Sequence, residues 1–177
     1  MATTKKVSFN GFSVSNLRTS RGVEYEAMSC DLMLERKKIA EVIDDGWGGP
    51  LNVSMADGFS YSRLDELCKT FREPSKCHGM TIEYDAELFI YDLVEKEKMA
   101  RDVRRQNGKG YGVCRIEFSN NHRDEYYNIP LEWSDKRLSG DMAKKYPKDP
   151  IKAITFWRKP EDFNVNDRQI SIEQLRK

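Results

Sequence analysis

The chain has 177 residues, with 30 Lys and Arg against 29 Asp and Glu, three Trp, eight Tyr and eight Phe. That aromatic content, spread along the chain, excludes a disordered protein. No apolar run reaches the roughly 18 residues of a membrane span, and the length suits one domain with its own core.

The first third reads as strands. Val7, Phe9 and Phe12 to Val14 alternate imperfectly and end near Ser15 and Asn16. After Arg21-Gly22 a second run covers residues 23–34, with Val23, Tyr25, Ala27, Ser29, Asp31 and Met33 on one face. A short turn at residues 35–37 leads to a third run over 39–43, the break Asp44-Asp45-Gly46-Trp47-Gly48-Gly49-Pro50, and a short fourth run over 51–55. Runs joined by short connections predict an antiparallel meander with one face on a core.

Helices follow. Ser60 or Ser62 caps a segment with Leu64, Leu67, Cys68 and Phe71 at helical spacing, ended by Pro74. A longer helix is predicted from Ile82 to Gln106, stopped by Asn107-Gly108, with Ala86, Phe89, Ile90, Leu93, Ala100 and Val103 in its apolar stripe. Residues 83–97 hold six acids and one lysine, and residues 98–115 hold six bases and one acid, a polarity that suits the helix dipole without any partner.

The last third returns to strands. Residues 111–118 alternate Val113, Arg115 and Glu117 against Cys114, Ile116 and Phe118. A loop at 120–124 precedes a return strand over 125–133. A short helix follows over 134–146, then a strand over 151–157 and a final turn of helix or a fraying end over 171–177. The expectation is an α+β fold: an N-terminal antiparallel meander, central helices, and a C-terminal β-hairpin plus a further strand. One domain spans the chain, divisible into a β subdomain over 1–57 and an α/β remainder over 58–177.

Residues 1–6 are not followed by an apolar stretch, so no secretory signal is expected. Cys30, Cys68, Cys77 and Cys114 have no C-x-x-C spacing, and only His78 lies beside one of them. That pattern predicts free thiols in a reducing, cytoplasmic setting and neither a metal site nor a cofactor. Adjacent Cys77 and His78 point their side chains apart, which disfavours a nucleophile–base pair. Glu117 lacks the lysine that a metal-dependent nuclease core places beside a strand acid. The balance therefore leans away from an enzyme.

Three surfaces remain as binding candidates. Trp47, flanked by Asp44 and Asp45 in the glycine-rich break, is a candidate anchor. The acids Glu83, Asp85, Glu87 and Asp92 form a candidate face for a basic partner. As the alternative, Arg104, Arg105, Lys109, Lys144, Lys145 and Trp157 would bind phosphates and stack on bases. The glycine turn could also approach the phosphates of a nucleotide signal, although no lysine follows at phosphate-loop spacing. Against all three stands the plain alternative that charge runs are solvated faces and that the glycines make a tight strand connection with Trp47 packed over it.

The segment Arg21-Gly22-Val23-Glu24-Tyr25-Glu26-Ala27, followed by Ile39 to Ile43 and Asp44-Asp45-Gly46-Trp47-Gly48-Gly49-Pro50-Leu51-Asn52, resembles an N-terminal pattern of small bacteriophage and mobile-element proteins. There an Arg-Gly strand precedes a strand ending in an Asp-Gly-x-Gly-Gly turn. The resemblance covers about residues 7–55 and carries no catalytic residues. It implies an accessory protein that binds and inhibits a host defence component in the host cytoplasm. The target would be a nucleic-acid-guided or nucleotide-signalling effector. Nucleic acid, or a sequestered nucleotide signal, is the alternative ligand, and no membrane is involved.

Overall fold

The computed structural model describes residues 7–77, 79–119, 124–147, 151–163 and 175. The expectations for His78, for residues 120–123 and for the tail over 171–177 apart from Leu175 lie outside them. The fold is α+β. Two compact units divide it, Val7–Glu97 and Lys98–Phe163.

In the first unit, β1 (Phe12–Arg21), β2 (Glu26–Leu34), β3 (Lys37–Asp44) and β4 (Asn52–Met55) form an antiparallel sheet in chain order. The imperfect alternation in β1 has a physical cause. Phe12 and Val14 are buried, and so is Leu17, three residues on instead of two. The register shifts between Ser15 and Arg18, and Asn16 takes a positive φ of 52°. A bulge of this kind changes the strand's parity and returns Leu17 to the core face. In β2 the buried face is Met28, Cys30, Leu32 and Leu34. The second strand therefore starts at Glu26, not at Val23: Val23 to Tyr25 make the turn out of β1.

One face of this sheet carries α1 (Tyr61–Lys69) and the first half of α2 (Ala86–Asn107). Leu64 and Cys68 of α1, and Ala86, Phe89, Ile90, Leu93 and Val94 of α2, are buried with the sheet residues. Phe9, Phe12, Phe71 and Phe89 interlock at ring separations of 5.1 to 6.3 Å, mostly edge to face. Between the helices lies a small antiparallel hairpin, β5 (Ser75–Cys77) and β6 (Met80–Ile82), which the sequence reading did not anticipate. Ile82 belongs to β6, and the helix begins four residues later. The reason is Asp85, whose Oδ1 accepts the Leu88 N–H at 2.9 Å in the geometry of an N-cap. Asp65 Oδ1 of α1 accepts the Ala86 N–H at 3.0 Å and satisfies a second orphan donor of the same turn.

In the second unit β7 (Tyr111–Phe118) is central, flanked by β8 (Glu125–Pro130) and β9 (Ile151–Trp157), all antiparallel. Cys114, Ile116 and Phe118 form the buried face against Leu138 and Met142 of α3 (Asp135–Lys145). Ser134 caps α3, its Oγ accepting the Arg137 N–H at 3.3 Å. At Gly112 a Cβ would sit 2.6 Å from the Phe156 ring, so the close approach of β7 and β9 requires glycine. A 3-10 turn, Pro160–Phe163, follows β9 and stacks Phe163 on Trp157 at 4.7 Å. Among the described residues no helix is long and apolar enough to cross a membrane.

Candidate interaction surface

The two halves of the glycine motif, more than twenty residues apart in sequence, meet in the first unit. The β1–β2 turn donates the Glu24 and Tyr25 N–H groups to one acceptor, the Gly46 carbonyl, at 2.9 and 3.0 Å. Gly22 N–H donates to the Tyr25 carbonyl at 2.9 Å. Gly22 and Gly46 pack back to back: a Cβ on either would lie 2.9 Å from the other's Cα and under 3 Å from the Tyr25 carbonyl oxygen. Within the second turn, Asp44 Oδ1 accepts the Gly46 N–H at 2.8 Å and Asp45 Oδ1 the Trp47 N–H at 3.1 Å. Two links then pin the loop to α2. The Tyr91 hydroxyl donates to Asp44 Oδ2 at 2.6 Å, and Glu87 Oε1 accepts the Leu51 N–H at 3.3 Å. Burial and this bond push the Tyr91 phenol above its ordinary pKa, so it stays a donor.

This doubly locked tip presents three large apolar side chains to solvent: Val23 at 65%, Tyr25 at 66% and Trp47 at 61% exposure. Trp47 is thus exposed, as a surface anchor requires. Asp45 stands beside it, whereas Asp44 is spent inside the loop. The amides of Gly46 and Trp47 point at these two carboxylates, which leaves them aimed at protein oxygens and not at a phosphate.

The acids separate into two groups. Glu83 and Asp85 precede α2 and do not lie on it; together with Glu87 in its first turn and Asp65 of α1 they rim an open groove of about 490 Å³. Lys69 lies on the same rim, 3.1 Å from Asp65 and 3.3 Å from Glu83, and these bonds hold its ammonium above the usual lysine range. Exposed Met80, Ile82 and Leu88 add apolar surface. Asp92 does not join them. It accepts Arg72 at 3.0 Å and the Tyr84 hydroxyl at 2.7 Å, and Arg72 stacks over the Tyr84 ring.

The basic candidates all fall in the second unit, and most face protein groups. Arg105 pairs with Asp102 at 2.5 Å. Lys144 lies 3.9 Å from Asp141, and Lys145 sits 3.7 Å above the Tyr127 ring. Arg104 is half-buried in the last turn of α2, and Lys109 is exposed in the turn that follows. Trp157 is half-buried with one face on Phe163. Sequence reasoning missed Val23, Tyr25, Met80, Ile82, Leu88 and Asp65. For the first two a signal existed: glycines at both 22 and 46 within one motif mark backbones that approach closely.

Other reactive groups are held in their protonated forms. Burial raises the Cys30 and Cys114 thiols to about 11, and burial raises Cys68 further; none is a ready thiolate nucleophile. Glu125 Oε2 accepts the hydroxyls of Tyr127 and, at 2.5 Å, of Tyr146, with the two phenols also in contact. Burial and Glu125 push the Tyr146 phenol up, so the cluster braces β8 against the end of α3. Among the described residues no three His, Cys, Asp or Glu side chains converge as a metal ion would require. Comparison of the chain with family models, with curated proteins and with solved structures finds no match.

Proposed function

We propose that the chain acts by stoichiometric binding to a partner protein, with Val23, Tyr25 and Trp47 as its anchor. The observation that carries this is the exposure of three large apolar side chains on two turns locked to each other and to α2. An exposed Trp–Tyr pair on a backbone held in place loses little freedom on docking, which is the usual make-up of an interface hot spot. Inhibition of a host defence effector by a phage or mobile-element accessory protein is the biological form of this reading. It rests on the resemblance of the Arg21-Gly22 run and the Asp45-Gly46-Trp47-Gly48-Gly49 turn to that group of proteins.

Tagged wild-type, Trp47→Ala and Tyr25→Ala proteins, passed over bacterial lysate, test it. The expected result is one host protein retained at near-equal stoichiometry by the wild type. Each variant should weaken purified-partner affinity by about 2 kcal/mol, roughly thirtyfold, with an unchanged circular dichroism spectrum. The same retained proteins for all three forms would overturn the assignment. Material dominated by nucleic acid and released by salt would move the function to the basic segments.

A further inference from the structure

The groove before α2 is a second surface on the same unit, joined to the aromatic tip through Glu87 and Tyr91, which line it and also hold Leu51 and Asp44 of the glycine loop. The hairpin strand β6 pairs only with β5 among the described residues. Its residues Met80, Thr81 and Ile82, with Glu83 after them, border the 490 Å³ groove consecutively. Side chains of a strand alternate between faces, so a run of consecutive lining residues means that the strand presents its edge to the groove. The register sharpens this. Cys77 pairs with Met80 across a two-residue connection, which makes that pair the hydrogen-bonded kind. The next pair, Lys76 with Thr81, is then the non-hydrogen-bonded kind, whose N–H and C=O point away from the partner strand. The Thr81 peptide groups are thereby turned to the outer edge.

Open edges of this sort are usually blunted by lysine, proline or a covering element. Met80-Thr81-Ile82 carries none of these residues and has strong strand-forming chemistry. Its surroundings define the occupant. Asp65, Glu83, Asp85 and Glu87 line the groove, Lys69 is the one cation among its described lining residues and pairs with Asp65 and Glu83, and Met80, Ile82 and Leu88 offer apolar contact. We propose that an extended segment of a protein partner, with Lys or Arg at alternate positions, adds to the outer edge of β6 as a third strand. Backbone bonds to Thr81 supply register. The period of two places one set of side chains against the carboxylates and leaves the other set facing solvent. A segment bearing Asp or Glu would meet like charge and be rejected.

The test is selection of a random dodecapeptide display library on the full-length chain, followed by amide-resolved NMR titration of the selected peptides. Peptides with alternating Lys or Arg are expected, with the largest shifts at Met80, Thr81, Ile82 and Leu88. Thr81→Pro removes the outward N–H without touching the β5 ladder and should cost about tenfold in affinity, the loss of one backbone hydrogen bond. Glu83→Gln, which leaves the backbone alone, should weaken binding severalfold and flatten its salt dependence. Trp47→Ala should leave this binding unchanged, so failure here is separable from failure of the aromatic anchor. The proposal is overturned if no peptide is enriched, or if the enriched peptides lack the basic alternation. Affinity indifferent to both β6-side variants would also overturn it, as would a self-associated chain whose dimer Thr81→Pro dissolves.

Discussion

Gly22 and Gly46 decide the shape of the tip, because each occupies space that any side chain would need. A Cβ at Gly46 would lie 2.7 Å from the Tyr25 carbonyl oxygen, on a residue whose φ is +73°. Gly46→Ala should therefore cost about 1–3 kcal/mol of stability in urea denaturation. Gly49→Ala, where no atom lies within 4 Å of the new Cβ, should stay within about 0.5 kcal/mol of wild type. Equal effects would mean that the two turns are not locked as described. The thiols give a second expectation. Cys30 and Cys114 have folded pKa values raised to about 11 from 9.0. The native state thus keeps its protons where the unfolded chain loses them, so stability holds below pH 9 and falls as pH rises from 9 through 11. Urea midpoints of wild type and Cys30→Ala across that range should converge at the alkaline end; parallel curves would remove the thiol from the account. Buried Cys68 and Cys114 were legible in the sequence, because lone cysteines favour cores, whereas the glycine-rich break read equally as a tight connection with Trp47 packed over it, and the structure instead leaves Trp47 exposed. Val23 and Tyr25 were not legible, since their alternation with Ala27 and Ser29 imitates a strand that the Gly22 turn in fact interrupts.

Elements were readable where periodicity was long and unreadable where a few residues decided the outcome. The meander, the hairpin around β7 and α3 all carry patterns of several residues, and they stand close to where alternation and helical spacing put them. The three-residue strands β5 and β6 are too short for any period to show. The start of α2 was displaced because its apolar stripe extends backward to Ile82, whereas capping by Asp85 and Asp65 fixes the first turn at Ala86. This matters for function: Glu83 and Asp85 serve a groove and a cap, not a helix face. The β2–β3 connection shows the same limit. Its position was clear, but Glu35 and Arg36 both take positive φ, 50° and 68°, where a type I′ turn favours Asn followed by Gly. The double substitution Glu35→Asn with Arg36→Gly should relieve backbone strain of about 1 kcal/mol or more and raise the melting temperature. A lower melting temperature would show that the native pair contributes interactions that outweigh its strain.

At the scale of the whole chain, charge is nearly balanced in sum yet divided along the sequence, and the structure shows how much of that division is consumed internally. Arg115 Nη2 meets Asp124 at 2.6 Å, Arg158 meets Asp135 at 2.5 Å, and Lys152 stands 3.7 Å from Glu117. Arg137 lies over the Trp133 ring at 4.1 Å, and Lys145 over Tyr127. These partners come from neighbouring strands or from across a turn, so a count along the sequence registers the bases and misses the acids and rings that face them. Exposed pairs of this type contribute little to stability, but each occupies a cation that a phosphate would otherwise have to recruit. A nucleic-acid surface built from them would displace existing contacts before gaining new ones, whereas the exposed Val23, Tyr25 and Trp47 of the tip offer apolar surface with no ion pair to break. The chain should accordingly fail to retard single-stranded or duplex DNA in a mobility shift at about 0.1 M salt, where the Debye length is roughly 10 Å. Any retention at lower salt should show a log–log slope of about one or two released ions. A slope near six, unchanged in Trp47→Ala and lost when Lys109, Lys144 and Lys145 are neutralised together, would reverse the order of the two functional readings.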